Sequence, residues 1–229
     1  MTRLSVLHQA EGYLVVEKPA GLLVIPGRSD ASGPCARELL EAQLGQGVFV
    51  VHRLDRDTSG LLLFALHARA HRTLSMAFEA GKVGKRYFAL VMGRLESPLE
   101  IDAPLVPARR GRMRPGRLDE GAKAALTRVT PQELFTAHTL VEAQPMTGRT
   151  HQIRVHLASV GHPLCVDPQY GQPRTAGAPE LRLERTPLHA ASLTLPELEG
   201  IAHATFHSPL PADMACALAL LRRVPTPLS

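Results

Sequence analysis

The densest run of reactive side chains in this chain is His52-Arg53-Leu54-Asp55-Arg56-Asp57-Thr58-Ser59-Gly60. It brings two carboxylates, two arginines and two hydroxyls into one short polar segment, and the apolar run Leu61-Leu62-Leu63-Phe64-Ala65-Leu66 follows at once. An apolar run of that kind reads as a buried strand, which makes the polar segment a tight loop on the rim of a core sheet. A carboxylate held there between arginines is placed to do chemistry on an anionic substrate.

Other uses of the same residues compete with that one. Asp-x-x-Ser and Thr-Ser-Gly also close turns through side-chain to backbone hydrogen bonds, a purely structural role. Asp55-x-Asp57-x-Ser59-Gly60 copies the first half of a calcium-binding EF-hand loop. Its twelfth position is Leu66, where a bidentate glutamate is required, and a strand follows where a helix should. Asp57-Thr58-Ser59-Gly60 also looks like an aspartic-protease loop, but that chemistry needs two such loops or a dimer sharing one proton; the chain has no second copy, and the order of Ser59 and Gly60 is unusual for it. His52 lacks a partner at a spacing that marks a metal site or a nucleophile triad.

A second polar cluster, Met146-Thr147-Gly148-Arg149-Thr150-His151-Gln152-Ile153-Arg154-Val155-His156-Leu157, opens a helix expected from near Arg149 to Gly161. Such a helix is open to simple capping and solvation. His151 and His156 stand about 140° apart around it, so they do not form the metal-binding pair that an i, i+4 spacing gives. The positive charge has its own location. Arg109, Arg110, Arg112, Arg114 and Arg117 fall within residues 107–117 and match the whole formal net charge of +5. Proline and glycine make that segment a loop. It is either a solvated hairpin tip or a nucleic-acid contact, and the concentration of charge favours the contact.

Composition frames these sites. At 229 residues and 45% hydrophobic, the chain is long enough for one large core. No apolar run approaches the ~20 residues of a membrane span, and the N-terminus has no signal-peptide pattern. Cys35, Cys165 and Cys216 are scattered and odd in number, which predicts buried thiols in a reducing, cytoplasmic setting. The basic residues include only 4 Lys against 22 Arg. Coding bias explains that, and arginine's bidentate fit to phosphate makes it convenient for a nucleic-acid partner.

The elements that must position the polar clusters are mixed. Strands are expected at 13–19, 22–25, 48–51, 61–66, 85–91, 124–129, 134–143, 188–195 and 201–206. Helices are expected at 36–44, 68–80, 149–161 and 212–221, with an irregular loop at 173–180. There is no repeat, no linker, and no regular β-α alternation. No G-x-G-x-x-G or Walker loop is present, so nucleotide cofactors are not indicated.

Three segments together resemble the RluA-type pseudouridine synthases. Residues 52–60 match H-R-L-D-x-x-T-S-G at every specified position. Lys85-Arg86-Tyr87-Phe88-Ala89-Leu90-Val91 is similar to the family's K-x-Y-x-A-L-V, and residues 147–156 to its T-G-R-T-H-Q-I-R-V-H. The resemblance continues in order through Lys18-Pro19-Ala20-Gly21, Gly161-His162-Pro163, Asp167, Tyr170-Gly171, Leu188-His189-Ala190 and Pro209-Leu210-Pro211, covering nearly the whole chain. Two departures bear on local loop geometry. Val166 stands where the family has glycine, and Leu195-Pro196 where it has His-Pro.

The resemblance implies an α+β fold: a single catalytic domain over 1–229, on a mixed, largely antiparallel sheet flanked by helices. No separate N-terminal RNA-binding domain is expected. It further implies isomerisation of uridine to pseudouridine in transfer or ribosomal RNA, without cofactor or metal, by a cytoplasmic monomer. Asp55 would be the catalytic carboxylate, acting either as nucleophile at the anomeric carbon or as base at the sugar 2′ carbon. Arg154 would pair with it and keep it ionised. Tyr87, otherwise a plausible core tyrosine, would stack on the base and assist loss of its C5 proton. Arg53 would fill the gap left by the flipped uridine. His52 and Arg56 would be phosphate contacts or loop supports. Arg149, His151 and the arginine-rich loop would meet RNA. An RNA-binding protein of the same fold that lacks catalysis, or a glycosidase using Asp57 as second carboxylate, are the other classes to separate.

Overall fold

The run after the reactive loop forms the most continuously buried strand of the chain: β4, Ser59–Ala65, is buried at all seven positions. A strand covered on both faces needs unbroken apolar sequence where a half-buried one shows alternation. The computed structural model describes residues 3–27, 33–171 and 181–223. The chain is α+β and divides into two compact units, Met1–Gly84 with Ala190–Ser208, and Lys85–His189 with Pro209–Ser229.

In the first unit, β1 (Ser5–Gln9), β2 (Tyr13–Lys18), β4 and β11 (Leu188–Leu195) lie side by side in that order. β3 (Phe49–Val50) pairs with β4, and β12 (Ala204–His207) with β11. The β1–β2, β2–β4, β3–β4 and β11–β12 pairings are antiparallel. Helix α2 (Ala68–Glu79) lays Leu74 and Ala77 on a core shared with Val15, Leu61, Leu63 and Leu193. His67 caps it, its Nδ1 accepting the Ala70 N–H at 3.2 Å. Helix α1 (Ala36–Leu44) starts where the N–H groups of Ala36 and Arg37 donate to the carbonyls of Leu23 and Val24, at 2.7 and 3.2 Å. That contact corrects the strand expected at 22–25. Its carbonyls serve a helix start in place of a sheet ladder.

In the second unit the order is β5 (Gly84–Met92), β10 (His138–Pro145), β9 (Leu126–Leu134) and β6 (Leu99–Asp102), all antiparallel. Alternation along β5 feeds two cores. Ala89 and Val91 pack with Ile153 and Leu157 of α3 (Gln152–Ser159), while Leu90 packs with Met214 and Leu218 of α4 (Ala212–Leu221). β9 runs through Pro131, which falls between the strands expected at 124–129 and 134–143. The register against β10 skips Gln132, and such a bulge tolerates a proline within a strand. The arginine-rich segment is a small hairpin of β7 (Leu105–Pro107) and β8 (Met113–Pro115).

Both departures from the family pattern are apolar side chains sealed in a core, Val166 beside α4 and Leu195 beside α2. Cys35 and Cys165 are buried as expected, but Cys216 is exposed, which corrects the expectation of three buried thiols. The loop expected at 173–180 lies outside the described residues. Among those described, no helix is long and apolar enough to cross a membrane.

Candidate active site

The Asp55 loop is held from three sides. His52 lies flat on Phe78, ring centroids 4.5 Å apart, and its Nε2 accepts the Leu63 N–H at 3.0 Å. Accepting there requires an unprotonated Nε2, so His52 supports the loop as a neutral ring. Lys18, with no exposed surface, sends its ammonium to the carbonyls of Pro19, Leu22 and Arg56 at 2.8, 2.9 and 3.0 Å. Gly21 and Arg56 are tied twice: the Gly21 N–H donates to the Arg56 carbonyl (2.9 Å), and Arg56 Nε to the Gly21 carbonyl (3.1 Å). Lys18-Pro19-Ala20-Gly21 is therefore the splint of the Asp55 loop, a role its sequence position did not disclose. Burying an ammonium is tolerable only when its donors are spent, as these are.

The third side is Gly60. Its φ is +108°, and a β carbon there would run into the carbonyl oxygen of Ala190 and come within 2.7 Å of the Ala190 nitrogen. Only glycine fits both the backbone angle and the close approach of β11. A tight turn at Arg56-Asp57, closed by the Thr58 N–H on the Asp55 carbonyl at 3.2 Å, then leaves Asp55 and Asp57 half-buried and Arg53 exposed.

The second polar cluster is organised by Gln152. Its Oε1 accepts from the Thr147 hydroxyl (2.7 Å) and the Arg149 N–H (3.0 Å), and its Nε2 donates to the Leu126 carbonyl and to Thr127 Oγ1 (2.9 and 3.0 Å). Arg149 is pinned by its Nε on the Ala124 carbonyl at 3.0 Å. The helix itself starts later than expected, because His151 takes a left-handed conformation with φ 53°. Five residues on, His156 is fully buried between Thr127 Oγ1 (2.8 Å) and the Ala103 carbonyl (2.9 Å). Burial pushes its pKa below the usual value, against the raising effect of that carbonyl. It is a core histidine, neutral at pH 7. Lys85 packs beside the same loop, Nζ donating to the Thr147 carbonyl at 3.2 Å, and burial lowers its pKa.

Arg154 is buried in a cage of its own. Its Nε and Nη2 donate to the two carboxylate oxygens of Asp167, each at 2.8 Å, and Nη2 also donates to Gln169 Oε1 at 3.0 Å. Asp167 additionally accepts the N–H groups of Gln169 and Tyr170 at 2.9 and 3.2 Å. Burial pushes the Asp167 carboxyl up, but the Arg154 hydrogen bonds and charge, with the two backbone donors, outweigh it and hold the pKa below its ordinary value. Sequence reading registered Asp167 only as a motif position. The signal available was that an arginine on the inner face of a helix needs a buried counter-charge. Tyr87 stands on β5 opposite Ala143, half-buried against the core that holds Ile153 and Leu157.

All five hairpin arginines are exposed, yet they are not equivalent. Arg114 pairs with Glu120 at 3.0 Å and Arg117 with Asp119 at 2.9 Å, so part of the charge counted from sequence is neutralised just beyond the segment. Arg112 lies over the Tyr170 ring. Among the described residues, no group of three or more metal-ligating side chains occurs.

Residues 12–159 match the family described as RNA pseudouridylate synthase. The chain belongs to that family. It is 41% identical, over 97% of its length, to ribosomal large subunit pseudouridine synthase D of Nitrosomonas europaea. It is 37% identical, over 95%, to ribosomal large subunit pseudouridine synthase C of Vibrio cholerae. The chain spans 66% and 69% of those two proteins. Among solved structures it resembles human RNA pseudouridylate synthase domain containing 4 and domain containing 1. Each gives a TM-score of 0.77 at 27% identity, covering 95% and 98% of this chain and 93% and 97% of theirs.

Proposed function

We propose that this family member isomerises uridine to pseudouridine in RNA with Asp55 as its catalytic carboxylate. One observation carries the assignment: the family's complete loop is braced by Lys18, His52 and Gly60 so that Asp55 stays half-buried at its rim. The matched family span takes residues from both units, which supports reading 1–229 as a single catalytic domain. The relatives' names point to large-subunit ribosomal RNA as the substrate class. A cytoplasmic monomer fits that substrate.

The chemistry balances without a cofactor. The C1′–N1 bond breaks, the base turns, C1′ bonds to C5, and N1 gains a proton as C5 loses one. Asp55 serves as nucleophile at C1′ or as base at the 2′ carbon. Tyr87 stacks on the base and assists loss of the C5 proton. Arg154, held by Asp167 and Gln169, is the cation assigned to the catalytic carboxylate. Arg53, exposed on the Asp55 loop, fills the space of the flipped uridine, at a cost of a few kcal/mol for unstacking. Arg149, His151 and the hairpin arginines take phosphate, alongside whatever contact His52 and Arg56 add to their support of the loop.

Total RNA from a strain lacking the protein, labelled with 5-tritiated uridine, tests this. Wild type should release tritium, and Asp55→Asn should abolish release while holding RNA affinity within a few fold. Release by Asp55→Asn at the wild-type rate would remove Asp55 from the mechanism. RNA binding by wild type without release would indicate a non-catalytic binding protein, and free uracil a hydrolase.

A further inference from the structure

Tyr170 joins two elements that the proposed reaction uses separately. Its hydroxyl accepts the backbone N–H of Met113, in the arginine hairpin, at 2.8 Å. The same oxygen lies 2.7 Å from His151 Nδ1, at the start of α3. With one lone pair occupied by Met113, the hydroxyl proton goes to Nδ1 when His151 carries its own proton on Nε2. His151 also stands edge-on to the Tyr170 ring, centroids 5.5 Å apart at 72°. That contact holds a non-glycine residue in its left-handed turn (φ 53°), a conformation that needs outside support.

The ring carries two cations. The guanidinium of Arg154 lies 5.1 Å from its centroid and that of Arg112 lies 5.4 Å from it. Each attraction draws on the same ring electrons, and two like charges sharing one ring weaken each other's hold. The Tyr170 backbone adds a further tie, donating to the Asp167 carboxylate that grips Arg154.

We propose that Tyr170 is a positioning residue through which the arginine hairpin sets the aim of Arg154. A phosphate seated on Arg112 relieves the repulsion between the two cations and fixes the Arg112 guanidinium on the ring, which steadies the ring under Arg154; without Arg112 the ring loses that support. RNA contact at the hairpin then does more than add affinity: it readies the arginine that serves the catalytic carboxylate. This rests on the isomerase reading above.

The test is single-turnover tritium release with enzyme in excess over the same labelled RNA, separating the saturating rate constant from the half-saturating enzyme concentration. Tyr170→Phe keeps the ring and loses the hydroxyl, and its saturating rate should fall about fivefold, the equivalent of a hydrogen bond. Tyr170→Leu loses both, and about a 100-fold fall is expected from a misplaced catalytic group. Half-saturation should move less than about threefold in either, as hydrogen-bond and ring losses away from phosphate predict. Arg112→Ala should slow the saturating rate in the wild-type background and add nothing in the Tyr170→Leu background. A merely structural defect would reduce the active fraction and spare the rate constant. The inference is overturned if Tyr170→Leu keeps the wild-type rate constant, or if the Arg112→Ala and Tyr170→Leu losses multiply. A wild type that releases no tritium instead overturns the isomerase reading, and this inference with it.

Discussion

Replacing Asp167 by Asn changes one atom in size and removes one charge, so its effect isolates the cage around Arg154. The carboxylate accepts four hydrogen bonds: two from Arg154, one each from the backbones of Gln169 and Tyr170. An asparagine oxygen at the Oδ1 position keeps three of them. Its amide NH2 then faces the Arg154 Nε–H, donor against donor. Both residues are sealed, with Asp167 at 0% and Arg154 at 7% exposure. Solvent therefore screens little of the loss. Removing one partner of a buried ion pair costs about 3–5 kcal/mol, and the retained hydrogen bonds place Asp167→Asn near 3 kcal/mol. For a chain of this length that lowers Tm by about 6–12 °C.

The pH dependence gives the sign. The Asp167 pKa is lowered in the folded state, so its contribution is complete above the unfolded-state value of about 4 and is lost as pH falls through the lower folded value. Asparagine does not titrate. The gap between wild type and Asp167→Asn should be full at pH 7 and shrink as pH drops below about 4. Asp213, gripped by Arg185 at 2.6 and 3.0 Å and likewise lowered, keeps wild type acid-labile in the same range, but it cancels in the comparison. Thermal unfolding of both proteins at pH 7 and pH 3.5 measures this. A Tm within about 2 °C of wild type at pH 7, or an equal gap at both pH values, would refute the reasoning.

Lys18→Met should cost about 3 kcal/mol, since three part-buried carbonyls lose their donor; wild-type stability in denaturant titration would show that water replaces the ammonium. Gly60→Ala should cost about 3 kcal/mol or more, because backbone at Ala190 cannot yield and φ is +108°; soluble, active protein at wild-type Tm would contradict the packing. Replacing all five hairpin arginines by serine should reduce the slope of log affinity against log salt by about 2, with about 0.7 each from Arg109, Arg110 and Arg112 and little from the two already paired with Glu120 and Asp119. An unchanged slope would place RNA recognition elsewhere.

Local pattern and distant partner were unequally legible in the sequence. Helices 36–44 and 212–221 and the strand 188–195 match their observed limits to the residue, because apolar periodicity and flanking glycine or proline are local signals. The loop carrying Asp55 was placed correctly on a sheet rim by the apolar run behind it. What escaped were features defined by a partner far along the chain. Residues 22–25 have strand composition, but their carbonyls are claimed by α1 and Lys18. Gln152 reads as an ordinary helix residue until Leu126 and Thr127 are seen beside it. The late start of α3 follows from a left-handed His151, whose support comes from Tyr170, 19 positions away. The pairing of Arg154 with Asp167 needs both ends in view.

The two polar clusters share one construction. Each places a fully buried ion behind a less buried working surface: Lys18 behind the Asp55 loop, and Asp167 behind Arg154. Buried ions are a poor means of stabilising a fold, because desolvation consumes most of what pairing returns. They are a good means of fixing direction, since an ammonium with three carbonyls to satisfy, or a carboxylate with four donors, tolerates only one arrangement of the chain around it. For a reaction that must hold a sugar, release its base and recapture it at a different atom, direction matters more than raw stability. That accounts for charge in the interior at positions where leucine would have been thermodynamically cheaper. The exposed hairpin arginines vary in their pairing, whereas the buried Arg154 is engaged by Asp167 and Gln169; on the proposed reading the former gather RNA and the latter aims what acts on it.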